Sequence, residues 1–203
     1  MTLLLKGLLT TVAMAGIVAA GGLLMGALLA LLRTQAPKPV RWLCAAFIET
    51  LRGIPLILWL LGVHYGLMPL VLAQPDSLLS MGVGMTLFEA VYFAEIIRGG
   101  LAAIRTEERD SALSLGFSAQ QAWTRVLLPL ALRRMTPALT NQVITLIKDT
   151  SLASIISVVD FTRAGEILYE QTHNELPILL AQAAVYFSLC WAVAKTTRRW
   201  ELG

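Results

Sequence analysis

The chain has 203 residues, 57% of them hydrophobic and 14% charged, with a mean hydropathy of +0.71. That balance is too apolar and too poor in charge for a water-soluble domain of this length and marks an integral membrane protein. The formal net charge of +3 does not point to nucleic acid, because the basic residues gather at the ends of apolar runs and are not interleaved with aromatics.

The first element is Gly7 to Leu32, an unbroken run of 26 uncharged residues between Lys6 and Arg33. A helix needs roughly 20 to cross the hydrocarbon core, and a signal-peptide core is about 7 to 15, so the run reads as a retained span. Its Gly22-x-x-x-Gly26 pattern suits close helix contact. Next comes Arg52-Gly53-Ile54-Pro55, where Pro55 removes a backbone donor and disfavours helix at Ile54, freeing carbonyls that can line a path. Glu49, three residues before Arg52, is placed to pair with it. A second apolar run extends from residue 53 to 73 and a third from 77 to 97. The third carries Glu95 and Arg98 at pairing distance and a deeper Glu89 with no evident partner.

Residues 98–134 form the longest polar stretch. Thr106, Glu107 and Glu108 read as a helix start with acid in the first turn, and Gly116 as its stop. Ser118 with Gln121 three residues on forms a capping box opening a second helix, which Pro129 is expected to close. An ordered hairpin of this kind suits docking to another protein, or else an interfacial helix with Trp123, Val126 and Leu127 in the headgroups. A fourth run spans 135 to 159 and a fifth 176 to 194, with an acidic segment from Asp160 to Glu175 between them, read as a docking site or a solvated loop. Cys44 and Cys190 read as packing residues, and His64 and His173 as single interfacial or loop residues without metal-ligand spacing.

Orientation follows from the basic residues. Arg33, Lys38, Arg41, Arg98, Arg105, Arg109, Arg125, Arg133, Arg134, Lys195, Arg198 and Arg199 fall on one side of a five-span arrangement, and only Lys6 and Arg163 on the other. The positive-inside rule then puts the N-terminus outside and the C-terminus and the hairpin in the cytoplasm.

The hairpin resembles the EAA loop of binding-protein-dependent ABC importer permeases, E-A-A-x3-G-x9-I-x-L-P. Here it reads Asp110, Ser111, Ala112, three residues, Gly116, nine residues, Val126, Leu127, Leu128, Pro129. FIETLRGIPLI (47–57), YFAEIIRGGLAAI (92–104), LPLALRRMTPALTNQVITLIKDTSLASII (128–156) and DFTRAG (160–165) narrow the resemblance to the polar amino-acid permeases. Two departures are Trp59, where many members carry Gln facing the transport path, and a short head before the first span. The resemblance implies an all-α, five-span type I ABC importer permease fold in one transmembrane domain, residues 1–203. It also implies that Asp110, Ser111, Ala112, Leu115, Gly116, Phe117, Ser118 and Pro129 couple to an ATPase. Its expected partners are ABC ATPase subunits, a second identical or homologous permease subunit, an extracytoplasmic amino-acid-binding protein, the amino-acid substrate and the lipid bilayer, in the bacterial cytoplasmic (inner) membrane.

No cofactor is expected: the chain holds no G-x-x-x-x-G-K-[ST] loop, so ATP would be bound by the partner subunit. Lys148 and Asp149 lie near the middle of the fourth run, with thirteen uncharged residues before them and ten after. Each charge at such a depth costs roughly 2.5 to 3.5 kcal/mol, so the span must be sheltered or line a wet cavity. Adjacent helical residues point about 100° apart, so the two cannot simply neutralise each other. Asp149 reads either as the counter-ion of Arg52 or as part of a substrate site. In the second reading Asp149 would take an ammonium and Lys148 or Arg52 a carboxylate, with Thr150, Ser151, Pro55, Trp59 and Glu89 completing the site. The alternative from another class is an ion-coupled secondary transporter of a small zwitterion, which usually shows internal repeats, and none is present.

Overall fold

The computed structural model describes the backbone of residues 2–201 and the side chains of residues 2–197. The side chains of Arg198 and Arg199 therefore lie outside the described residues. Within them the chain is 88% helical and has no strand.

Helix α1 (Thr2–Gln35) has 34 residues, about 51 Å at 1.5 Å per residue. It buries one stripe of mostly small residues, Gly7, Thr11, Ala15, Val18, Gly22, Gly26 and Ala30, spaced three or four apart as one helix face requires. That stripe lies on α4 (Ser77–Ala102), with the start of α8 (Phe161–Thr172) under Gly7. The close approach is visible at Gly26, where a Cβ would stand 2.7 Å from the Phe93 Cβ and 2.8 Å from the Ala90 carbonyl oxygen. The Gly22-x-x-x-Gly26 pattern is thus used within the chain.

Helix α2 (Lys38–Gly53) ends where Ile54 turns extended, φ −100° and ψ 132°, ahead of Pro55. The chain resumes as α3 (Leu56–Leu61), continuing in wide and then tight helical turns to Leu70, bent by 109° from α2. The apolar run that begins at residue 53 therefore starts at a corner. Asp76 caps α4 by accepting from the Leu79 N–H at 2.8 Å. Val18, Ile48, Leu51, Leu60, Met81, Met85, Val91, Leu146 and Ile156 form the core around α4.

After the polar helices α5 (Thr106–Ser114) and α6 (Ala119–Ala122), helix α7 (Leu128–Asp149) leads into a tight-turned stretch, Thr150–Ile156. Ser157 then takes a left-handed conformation (φ 64°) and α8 follows. Helix α9 (Glu175–Glu201) packs on α7 and α8 and leaves most of its apolar surface open. Three helices, α1, α4 and α9, are long and apolar enough to cross a membrane alone, and two bent pairs raise the number to as many as five.

Candidate functional sites: a polar hairpin and the charges of the bundle

The hairpin is built from local chemistry. Glu108 reaches back to accept the Arg105 N–H at 3.0 Å, closing the start of α5. At its end Gly116 has φ +85°, with the Gly116 N–H on the Leu113 carbonyl at 3.0 Å and the Phe117 N–H on the Ala112 carbonyl at 3.4 Å. These two bonds make a Schellman stop, which places the left-handed residue where Gly is least costly. The capping box at Ser118 is complete: its Oγ accepts the Gln121 N–H at 3.3 Å and Gln121 Oε1 accepts the Ser118 N–H at 3.0 Å.

Pro129 does not close this second helix. The turns over Trp123–Leu127 widen, the Leu128 N–H bonding to the Trp123 carbonyl five residues back, and the helix continues as α7 with Pro129 in its first turn. A change of hydrogen-bond register is where a residue without an N–H is least disruptive.

Ala112 is buried against the second helix, while Asp110, Ser111, Leu115, Gly116, Ser118 and Pro129 are exposed and Phe117 is half-buried. Leu115 stands 79% exposed at the tip, an apolar side chain with nothing of its own chain to cover it. Arg134 ties the hairpin to the bundle through a two-pronged pair with Glu108 and a 2.8 Å bond to the Ala103 carbonyl. The Arg134 guanidinium, followed by the Arg105 N–H, holds the Glu108 carboxyl below its usual range.

The interior charges find partners far away in sequence. Glu89 is fully buried between α1, α4 and α7 and accepts from Gln142 Nε2 at 2.8 Å, while its Oε1 has no partner. Tyr92 lies one turn along α4 from Glu89 and packs on Phe88, ring centroids 5.2 Å apart. The Arg52 guanidinium sits 5.8 Å from the Tyr92 ring centroid, a cation–π distance. Its ion pair is with Glu95 at 3.8 Å, not with Glu49 or Asp149. Glu95 also holds Arg98 at 2.9 Å, as its spacing suggests, and Arg33 from α1, while Glu49 pairs with Arg33 at 3.6 Å.

Lys148 and Asp149 sit at the last residues of α7, where the helix tightens, and they diverge. Asp149 is half-buried and makes no ion pair within 4.0 Å among the described residues. Lys148 instead lines a separate pocket of about 280 Å³ with Ser151, Thr162, Gln182 and Tyr186. Thr150 is buried and turns its hydroxyl onto the Ile147 carbonyl at 2.8 Å. Pro55 is exposed at the corner, and the Trp59 indole donates to the Gly84 carbonyl at 2.8 Å, pinning α3 to α4.

Two residues read from the sequence as lying at the surface are interior. Asp160 is fully buried: its carboxylate caps α8, accepting the Arg163 N–H at 2.9 Å and the Thr162 N–H at 3.2 Å, with the Tyr186 hydroxyl at 3.4 Å. The signal was available in the order Asp160, Phe161, Thr162, an acid one residue before a helix. His64 is buried too, its Nδ1 2.9 Å from the Ser80 hydroxyl, because the wide turns at Gly62–Leu67 rotate it inward onto α4. The other acidic residues of the segment, Glu166, Glu170 and Glu175, are exposed or half-buried, with Arg163 paired to Glu166 at 2.8 Å and Glu170 at 3.5 Å.

An apolar helical bundle with three to five candidate membrane spans, ion pairs that join its helices and a self-capped polar hairpin has the build of a membrane subunit. The chain belongs to the family of binding-protein-dependent transport system inner membrane components, whose model matches residues 22–197. Among its relatives, the glutamate/aspartate import permease protein GltK of Escherichia coli O6:H1 is 35% identical over 191 residues, 91% of this chain and 85% of the relative. The arginine transport system permease protein ArtQ of Bacillus subtilis is 31% identical, covering 92% and 85%. The glutamine transport system permease protein GlnP of Escherichia coli K12 is 34% identical, covering 98% and 91%. The crystal structure of an amino acid ABC transporter with histidines superposes with a TM-score of 0.89 at 29% identity, covering 98% of this chain and 93% of that one. The inward-facing MetNI methionine transporter, TM-score 0.75 at 22% identity over 98% and 96%, shares the fold.

Proposed function

We propose that this chain is the translocating subunit of an ATP-driven amino-acid importer of the bacterial inner membrane. It would cross the membrane five times with the N-terminus outside, pair with a second permease subunit, and receive a polar amino acid from an extracytoplasmic binding protein. The observation that carries the reading is the hairpin. Its backbone is closed on itself by a Schellman stop and a capping box, yet it presents Leu115 and the Asp110–Ser111 edge outward. A rigid lever with an apolar tip is what an ATPase subunit needs in order to transmit its closure. ATP stays on that partner, and no chemistry is asked of this chain.

The substrate reading rests on the state of Arg52 and Asp149. Asp149, without an ion pair among the described residues, would hold the substrate ammonium, and Arg52, held only at 3.8 Å by Glu95, would face its carboxylate. Glu89, Thr150 and Trp59 would border or support this region, while Lys148 and Ser151, which line a separate pocket, would serve it only if the helix end untwists.

Copurification tests the coupling claim. Tagged wild-type chain drawn from membranes should bring an ATPase subunit with it, and Leu115→Asp should lose that subunit while remaining in the membrane. A cysteine at Ser118 should label from the ATPase side alone. Full retention of the ATPase by Leu115→Asp, or labelling from the opposite side, would refute the docking role.

A further inference from the structure

We propose that the cleft between the end of α1 and the start of α2 is a binding site for the headgroup of an anionic phospholipid. The cleft has a volume of about 660 Å³ and is lined by Arg33, Lys38, Arg41, Trp42 and Glu49, with Ala45 and Ala46 at its base. Three cations therefore face one acid. Arg33 is shared with Glu95 and Glu49, but Lys38 and Arg41 make no ion pair within 4.0 Å among the described residues.

The surroundings choose the occupant. Lys38 and Arg41 follow the 26 uncharged residues from Gly7 to Leu32 by six and nine residues, just past the break between α1 and α2, which puts them at the level where hydrocarbon gives way to headgroups. Beside them Trp42 is 79% exposed and Leu43 71% exposed. Indole rings favour that boundary, and a pair of cations there attracts anionic lipid. A free phosphate would satisfy the cations and leave Trp42 and Leu43 in water. A phosphodiester carrying acyl chains satisfies both at once. The site is placed to matter, because Arg33 lines the cleft and also grips Glu95, where the ends of α1, α2 and α4 are held together.

The full chain, extracted in mild detergent with an equimolar mixture of phosphatidylglycerol and phosphatidylcholine, should retain phosphatidylglycerol preferentially in native mass spectrometry. Each basic residue near an anionic headgroup is worth about fivefold, so Arg41→Gln should weaken that retention about fivefold and Lys38→Gln/Arg41→Gln about 25-fold. The exchanged pair Lys38→Arg/Arg41→Lys should keep the preference, and Arg125→Gln on the hairpin should not alter it. Equal retention of the two lipids by the wild type would overturn the proposal, as would a Lys38→Gln/Arg41→Gln chain that melts normally and keeps its preference. Should that double variant unfold, the single Arg41→Gln decides on the same criterion. Displacement of bound phosphatidylglycerol by millimolar inorganic phosphate would assign the cleft to a free anion and also contradict it.

Discussion

The hairpin over residues 106–127 closes its turns with partners two to five residues away, whereas the interior charges reach across helices that are distant in the chain. Ser118 finds Gln121, and Phe117 finds Ala112. Glu89 finds Gln142, 53 residues on, and Arg33 finds Glu95, 62 residues on. A local device can fold as a unit and act as a rigid lever, while a network of long-range pairs forms only when the bundle does. Damage to the interior should therefore cost assembly or transport, and damage to the hairpin should cost coupling with the bundle intact.

The largest effect is expected from Gly26→Val. Its side chain would enter the space of the Phe93 Cβ and the Ala90 carbonyl and force α1 off α4, at about 2 to 3 kcal/mol for overpacking. Thermal melting of the solubilised protein should drop clearly, with little of the chain assembled. A wild-type melting curve would mean that α1 is not clamped on α4 as described.

Asp149→Asn comes next and separates the two uses of a half-buried charge. The substitution keeps volume and hydrogen bonding, so a chain whose Asp149 has no ion pair among the described residues should assemble and melt normally while transport falls to background. Were Asp149 instead a counter-ion, its loss would strand a base at roughly 3 to 5 kcal/mol, and the protein would be recovered poorly. Normal transport would remove Asp149 from the path.

The smallest effect is at the joint between the two regions. Glu108 is held below the usual carboxylate range by Arg134, so its contribution is complete above the unfolded carboxyl value and fades as pH falls through the lowered one. Hydrogen-exchange protection of α5 should therefore be higher in wild type than in Glu108→Gln at neutral pH, and the difference should vanish in acid. A difference independent of pH would contradict the pairing.

The same contrast explains what could be read from the chain alone. Gly116, Ser118 and Gln121 were legible because a cap and its partner lie within one turn. So was the Glu95 and Arg98 pair. Pro129 was misleading, because a widened turn leaves no mark in composition and lets a helix run through proline. His64 was lost to the same irregularity. Glu89, Asp160 and Arg134 carry charges whose partners Gln142, Tyr186 and Glu108 come near only through tertiary packing. The divergence of Lys148 from Asp149 follows from the helical angle, but the pocket that Lys148 lines with Thr162, Gln182 and Tyr186 comes only with the packing of α7 on α8 and α9.

The most direct test of the lever is Gly116→Val in the reconstituted complex, with substrate uptake, ATP hydrolysis and melting temperature measured together. Nothing lies within 4 Å of an added Cβ there, so the strain is confined to a backbone at φ +85°, about 1 to 3 kcal/mol for a residue with a side chain. The bundle should melt as wild type while binding-protein-stimulated hydrolysis no longer drives uptake. Uptake at the wild-type rate, with the same hydrolysis and stability, would show that the hairpin is not the coupling element.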